Sequence, residues 1–304
     1  MADVQLIDLH THSTASDGNL SPTALVKEAA KRSISILALT DHDSIGGLIE
    51  ASKAAIENGV NFIPGIEFEI NWKEDFKGEF HLLGLGINRP TYEFNTAVEE
   101  MNLRREKRNL GIVEIMNNTG IELSYDDVKA FSGSRLIPGS SIGRPHFAAL
   151  LAQRKIVKNI DQAFKRYLGK GKPFYIPRIG LEFDHAVEII HKSGGIAVLA
   201  HPMSLYVSWG RLPEMIANLK ERGLDGIEAW HPVSKLSACK RLSDLGKSLG
   251  LYISAGSDFH GDNIPDRKLG RTAGGKKISD SLLDESFREI IQFLASRPFG
   301  SLQK

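Results

Sequence analysis

Histidines and carboxylates gather around the ends of short apolar runs in this 304-residue chain, and their types point to metal chemistry. His10 and His12 follow a first run, with Asp17 in the loop beyond. Asp41 and His42 follow a second run and Glu67 a third, while His81 sits in a fourth. His201 closes a fifth, Glu228 and His231 bracket the end of a sixth, and Asp258 and His260 follow a seventh. Side chains two apart in an extended segment point the same way. His10/His12 and Asp258/His260 therefore form two pincers. Imidazole and carboxylate donors without thiolates suit zinc, manganese or iron. A single HxH pair is weak evidence by itself. Its recurrence with acidic partners at strand ends is stronger, because an unpaired buried imidazole is costly.

The elements that must position these groups are legible as seven β-type runs, residues 4–9, 35–40, 61–66, 80–86, 195–200, 225–230 and 251–255. Several are almost continuously apolar, as strands covered on both faces must be. Helical segments lie between most of them: one from Pro22 behind the cap Ser21, one capped by Asp43 or Ser44 and stopped by Gly59, and others capped by Asp184, opened by Pro213, or spanning about 235–249 and 282–295. Alternation of strand and helix predicts a parallel α/β architecture. Closed into a barrel, it would bring the strand ends, and with them the two pincers, to one rim.

The alternation breaks between about 100 and 175, where helices are predicted at 98–117, 124–131, 144–153 and 160–168. This gives a barrel from residues 1–100 and 176–304 with a helical insertion, 101–175, suited to binding substrate. Charge divides the same way. Residues 101–178 carry 15 Lys/Arg against 6 Asp/Glu, whereas the rest of the chain is acidic, although the whole has a net charge of only +1. A basic attachment on an acidic body reads either as a solvated helical face or as a surface for an anionic substrate. The run Arg104-Arg105-Glu106-Lys107-Arg108 and the loop Gly169-Lys170-Gly171-Lys172-Pro173 mark its edges.

Length and a 41% hydrophobic content allow a large core without staples, and the lone Cys239 excludes a disulfide framework or a Cys-rich zinc module. Acidic and histidine residues from Asp3 to Asp17 argue against a signal peptide. No apolar run approaches the ~20 residues of a membrane span. A soluble, cytoplasmic protein with no obligate protein partner is expected.

Leu9-His10-Thr11-His12-Ser13 with Ser16-Asp17-Gly18, Leu39-Thr40-Asp41-His42-Asp43, Pro64-Gly65-Ile66-Glu67, Ala200-His201-Pro202 and Gly256-Ser257-Asp258-Phe259-His260-Gly261 together resemble the PHP (polymerase and histidinol phosphatase) superfamily. Gly143-Arg144-Pro145-His146, the 169–173 loop and Ile227-Glu228-Ala229-Trp230-His231-Pro232 are similar to its bacterial branch with a helical insertion, which includes nucleoside 3′,5′-bisphosphate phosphatases and 5′-to-3′ oligoribonucleases. The resemblance implies a distorted seven-stranded TIM-like barrel and up to three divalent ions, manganese foremost, with zinc or iron as alternatives. On the matching positions, His10, His12, Glu67 and Asp258 would hold one ion. Glu67, His81 and His201 would hold a second, and Asp17, His42 and His260 a third. Asp17 stands where other branches use His.

The chemistry expected is hydrolysis of phosphate esters by a metal-activated hydroxide, on small nucleotides or the 5′ ends of short RNA. His231 is a candidate proton donor to the leaving oxygen. Asp41 and Asp43 either orient ligand imidazoles or cap the helix that follows. Arg144, whose fork matches phosphate, and His146 are candidate substrate contacts, as are Lys172 and Arg178. Competing readings are a histidinol-phosphate phosphatase and a non-catalytic scaffold, stabilised by metals, that binds nucleic acid or protein.

Overall fold

The computed structural model describes residues 4–72, 78–132, 140–177, 179–297 and 299. Eight strands form one sheet: β1 (Leu6–Asp8), β2 (Ile34–Leu39), β3 (Asn61–Asn71), β4 (His81–Leu85), β5 (Leu181–Glu182), β6 (Ile196–Leu199), β7 (Gly226–Trp230) and β8 (Tyr252–Ala255). Their order is β1-β2-β3-β4-β6-β7-β8, with β5 paired to the far end of β3. The sheet curls until its edges meet. Leu9 N–H donates to Ala255 O at 3.3 Å, Asp258 N–H to His10 O at 2.8 Å and His12 N–H to Phe259 O at 2.9 Å. The result is a nearly closed barrel whose seam joins the two pincers.

Two features depart from the sequence reading. β4 runs antiparallel to both β3 and β6, so the sheet is not wholly parallel. Parallel neighbours need a crossover of a dozen or more residues, and the link from Asn71 to His81 is too short for one. The reversal has a chemical consequence: the first residue of β4, not its last, lies at the rim, and that residue is His81. β3 also continues past Ile66 to Asn71, which leaves Glu67 inside a strand. Gly65 permits this crowded passage, because a Cβ there would stand 2.9 Å from both Gly84 O and Thr40 Cγ2.

Among the described residues, α1 (Pro22–Lys31), α2 (Leu48–Asn58) and α3 (Tyr92–Asn118) precede α4 (Tyr125–Phe131), α5 (Arg144–Gln153) and α6 (Ile160–Ala163), which pack with one another and with the end of α3, and α7 (Phe183–Lys192), α8 (Leu212–Glu221), α9 (Leu236–Ser248) and α10 (Glu285–Ala295) follow. Ser21 caps α1 by accepting from Ala24 N–H at 3.2 Å. The cap expected at Asp43 or Ser44 is not made: α2 starts at Leu48 behind Gly47, with no side-chain cap. Asp184 likewise lies in the first turn of α7, behind Glu182.

At 27 residues, α3 is about 40 Å long. Its first half places Phe94, Val98 and Met101 in the apolar core that fills one side of the barrel. Its second half gives Ile112 and Met116 to a separate core with Phe147, Leu151 and Phe174. One continuous helix thus carries both cores, and the basic run 104–108 lies between them.

Candidate metal centre

Imidazoles are aimed at the rim by what their Nδ1 atoms touch. His10 Nδ1 meets Glu228 Oε1 at 3.1 Å, and the Glu228 carboxylate also accepts from His201 N–H at 2.8 Å. His201 Nδ1 lies 2.5 Å from Ser204 Oγ, which donates onward to His201 O, so this hydroxyl accepts from the ring. His260 Nδ1–H donates to Asp258 O at 2.8 Å. His12 Nδ1 lies 3.4 Å from Ser16 Oγ, which Asp41 holds at 2.6 Å. With Nδ1 occupied, each ring offers the Nε2 lone pair inward.

These lone pairs converge on carboxylates. Glu67 Oε2 stands 3.3 Å from His10 Nε2, 3.2 Å from His12 Nε2 and 2.9 Å from His42 Nδ1. Glu67 Oε1 stands 3.0 Å from His81 Nδ1 and 2.9 Å from His201 Nε2. Asp258 Oδ1 is 3.1 Å from His12 Nε2, and Asp17 Oδ1 is 3.2 Å from His260 Nε2 and 4.0 Å from His42 Nε2. Among the described residues, four overlapping groups could each hold a cation: His10, His12, Glu67 and Asp258; His12, Asp17, His42 and His260; His42, Glu67 and His81; and His10, Glu228 and His231. His201 joins the third through Glu67 and through His81, 3.3 Å away.

The arrangement fits divalent ions. The Nε2 atoms of His10 and His12 face each other at 3.1 Å, and Glu67 Oε2 has no hydrogen bond of acceptable geometry. Facing lone pairs and a buried carboxylate oxygen need a positive charge between them. Burial alone would raise the carboxyls of Glu67, Asp258 and Asp17. Neighbouring charges outweigh it and hold all three well below the usual range: His42 and His10 for Glu67, Arg267 and His10 for Asp258, His260 and His42 for Asp17. Burial lowers His12 and His81, but their carboxylate partners prevail and raise both to about 9. Protons thus hold the places that cations would take.

The backbone is bent to make this site. His201 and Asp258 have φ of 29° and 51°, in the left-handed region that non-glycine residues occupy at a cost. Gly256 clears the way, since a Cβ there would fall 2.3 Å from His10 Cβ and 2.5 Å from Glu228 Oε1. Asp8 braces the same turn, accepting from Ser257 N–H and Oγ and from Gly270 N–H at 2.5–2.9 Å; burial pushes its carboxyl up to about 6.

All nine candidate ligands thus come together. His42, His81, His201, Asp258 and Arg144 line one cavity of about 180 Å³, joined by His231 and Arg267. Arg144 donates to Glu79 Oε1 at 3.0 Å and to Leu168 O at 3.3 Å. Of the other expected substrate contacts, His146 and Lys172 do not line that cavity, although His146 lies close enough to Asp17 to feel its charge. His146 Nδ1 accepts from Gly143 N–H at 3.0 Å, at the start of its own helix, Lys172 is exposed on its loop, and Arg178 lies outside the described residues. Asp41 binds Ser13 and Ser16, and Asp43 pairs with Arg105 and accepts from Glu69 N–H. Neither caps α2.

Sequence reasoning placed Glu228 at a strand end without giving it a role, and it missed Ser13, Ser16, Ser204, Ser257, Arg267 and Arg105. Glu228 carried a signal: a carboxylate amid the apolar run 225–230 must have a buried partner. Ser13 and Ser257 carried none, because their partners Asp41 and Asp8 are distant in the chain; Ser204 and Arg267 stand near His201 and Asp258 in sequence, but nothing in their types marks the pairing.

The PHP domain model matches residues 8–176, more than half of the chain. The chain belongs to the PHP family. It is similar to a 5′-3′ exoribonuclease of Haemophilus influenzae, 37% identical over 83% of this chain and 89% of that protein. A 3′,5′-nucleoside bisphosphate phosphatase of Chromobacterium violaceum is 33% identical over 88% and 91%. Among solved structures, an amidohydrolase of C. violaceum with bound sulfate and no metal superposes with a TM-score of 0.79, at 31% identity over 96% of each chain. A protein of Bifidobacterium adolescentis classed as a candidate metal-dependent phosphoesterase gives 0.81, at 25% identity over 95% and 96%. This PHP protein is a metal-dependent hydrolase of phosphoric esters, and divalent metals are its cofactors. Among the described residues, no helix is long and apolar enough to cross a membrane.

Proposed function

We propose that this chain hydrolyses phosphate esters of nucleotides, as a phosphatase of nucleoside 3′,5′-bisphosphates and an exonuclease on 5′-phosphorylated short RNA. One observation carries the reading: nine imidazole and carboxylate donors gather at the rim, and six of them, Asp17, His42, His81, His201, Asp258 and His260, line a small cavity that also receives an arginine from α5. In this reading up to three divalent ions, manganese by preference, would be held by the ligand groups expected from the sequence, with Glu67 belonging to two of them. Bound there, such ions lower the pKa of water towards neutrality and neutralise phosphate charge.

The chain's own residues do the rest. Arg144, held by Glu79 and Leu168 O, presents its fork to a phosphate from the insertion side. His231 accepts from Val233 N–H at Nδ1, so its proton is on Nε2, which lies 3.2 Å from Asp258 Oδ2. These bonds give His231 an orienting part in place of that of a general acid. Arg267 pairs with the same Asp258 oxygen and leaves Oδ1 facing the histidines. Residues 101–175 serve as the substrate-binding insertion on a barrel of residues 1–100 and 176–304. Relatives named as an exoribonuclease and a bisphosphate phosphatase support the nucleotide class.

Turnover of 3′,5′-bisphosphoadenosine, short 5′-phosphorylated RNA and histidinol phosphate, compared with added Mn²⁺, tests the reading. Cleavage of either nucleotide substrate is expected, and cleavage of histidinol phosphate alone overturns it.

A further inference from the structure

The basic run on α3 is a sequence motif that the metal centre leaves unused. It lines a cavity of about 390 Å³ between α3 and the chain returning to the barrel, within the size range of small-ligand sites. Arg104, Arg105, Lys107 and Arg108 supply four cations, and Asp43 and Glu69 two carboxylates. Met101, Ile176 and Ile179 make the remaining wall largely apolar. The two carboxylates also form the partition from the metal centre: Asp43 adjoins His42, and Glu69 Oε2 stands 3.9 Å from His81 Nε2. Asp43 answers the Arg105 charge across this partition, in a left-handed backbone turn with φ of 49°. The lining keeps a surplus of positive charge beside an apolar wall.

We infer that this cavity is a second site for a ribonucleotide unit, with the phosphate on the α3 cations and the base against Met101, Ile176 and Ile179. Arginine and lysine answer the phosphate charge, and a base stacks or packs on apolar surface without sequence demand. The unit comes from a free nucleoside monophosphate or from an internal position of an RNA substrate. The nucleotide identity rests on the proposed function; the anion site itself rests on the cavity.

The test is binding to the full-length, metal-depleted protein, followed by titration calorimetry with AMP and with 5′-phosphorylated pentauridylate. The wild type is compared with Lys107→Glu, an exposed position where reversal cannot disturb a core, and with Arg104→Ala/Lys107→Ala. At least one ligand should bind the variants tenfold or more weakly. The logarithmic salt slope should fall by about 0.7 for each phosphate of a single strand that the protein no longer neutralises. Weakening with AMP identifies the free nucleotide as the source, and weakening with the pentanucleotide alone identifies RNA. Failure of the wild type to bind either ligand, or changes under twofold for both in both variants, overturns the inference. Hydrolysis of 3′,5′-bisphosphoadenosine by the wild type is scored separately, so failure of this site and failure of the proposed activity are told apart.

Discussion

The barrel rim and the basic face of the insertion solve the same electrostatic problem in opposite ways. At the rim, negative charge is buried: Asp17, Glu67, Glu228 and Asp258 stand within a shell of histidines, each carboxyl held ionised by its neighbours. The donors sit on or next to strands, and the rings of His10, His12, His201 and His260 are each fixed by a partner on Nδ1. On the insertion side, positive charge is carried by long side chains paired with acidic ones, Arg105 with Asp43 and Arg144 with Glu79. The rim is built to hold ions in fixed geometry.

Removing a rim donor should therefore cost most. His12→Ala deletes a residue shared by two candidate ion groups, and hydrolysis of 3′,5′-bisphosphoadenosine should fall by more than ~10³-fold, beyond the loss of a single transition-state donor. Circular dichroism should show the fold intact. Undiminished turnover would place the metal chemistry elsewhere.

Glu228→Gln keeps the shape but weakens the hold on His10 and on the His201 backbone. Metal affinity, read by competition with a chelator, should drop about 10–100-fold, as it does when partners behind a ligand are changed. Arg144→Ala should lower kcat/KM for the same bisphosphate roughly tenfold or more, the worth of a charged hydrogen bond. Its ion content should not change, which separates the two regions.

Protonation offers a further contrast. His12 and His81 sit at about 9 in the metal-free fold, above the ordinary 6.5. A raised imidazole pKa stabilises the fold fully below 6.5, and the contribution is lost as pH climbs through 9. Thermal stability of the metal-free protein should decline across that window, whereas the metal-loaded protein should decline less. At about pH 7.5, metal binding should release protons in amounts that shrink towards pH 9, measurable from buffer-dependent binding enthalpies. Lys172→Ala, at an exposed loop position, should alter kcat/KM less than about twofold.

Much of this contrast was legible in the sequence. Strand-end histidines, the pincer spacing and the basic segment are local features, and the structure gathers all nine expected donors. Less legible was whatever depended on pairing. Nothing local to 80–86 announces a reversed strand, yet reversal puts His81 at the rim. Glu67 reads as a strand end because the apolar run stops at Ile66, whereas a close backbone approach at Gly65 lets the strand continue to Asn71. Asp43 reads as a helix cap because Asp is a good one; its partner Arg105 lies 62 residues further on, and only the folded chain shows it.

Crystals grown with Mn²⁺ and measured at the manganese absorption edge address the central claim most directly. The account predicts anomalous density beside Glu67, in contact with His10, His12 and Asp258, and further peaks beside His81/His201 and Asp17/His42/His260. Strong anomalous density elsewhere in the molecule, with none within bonding distance of Glu67, would contradict it.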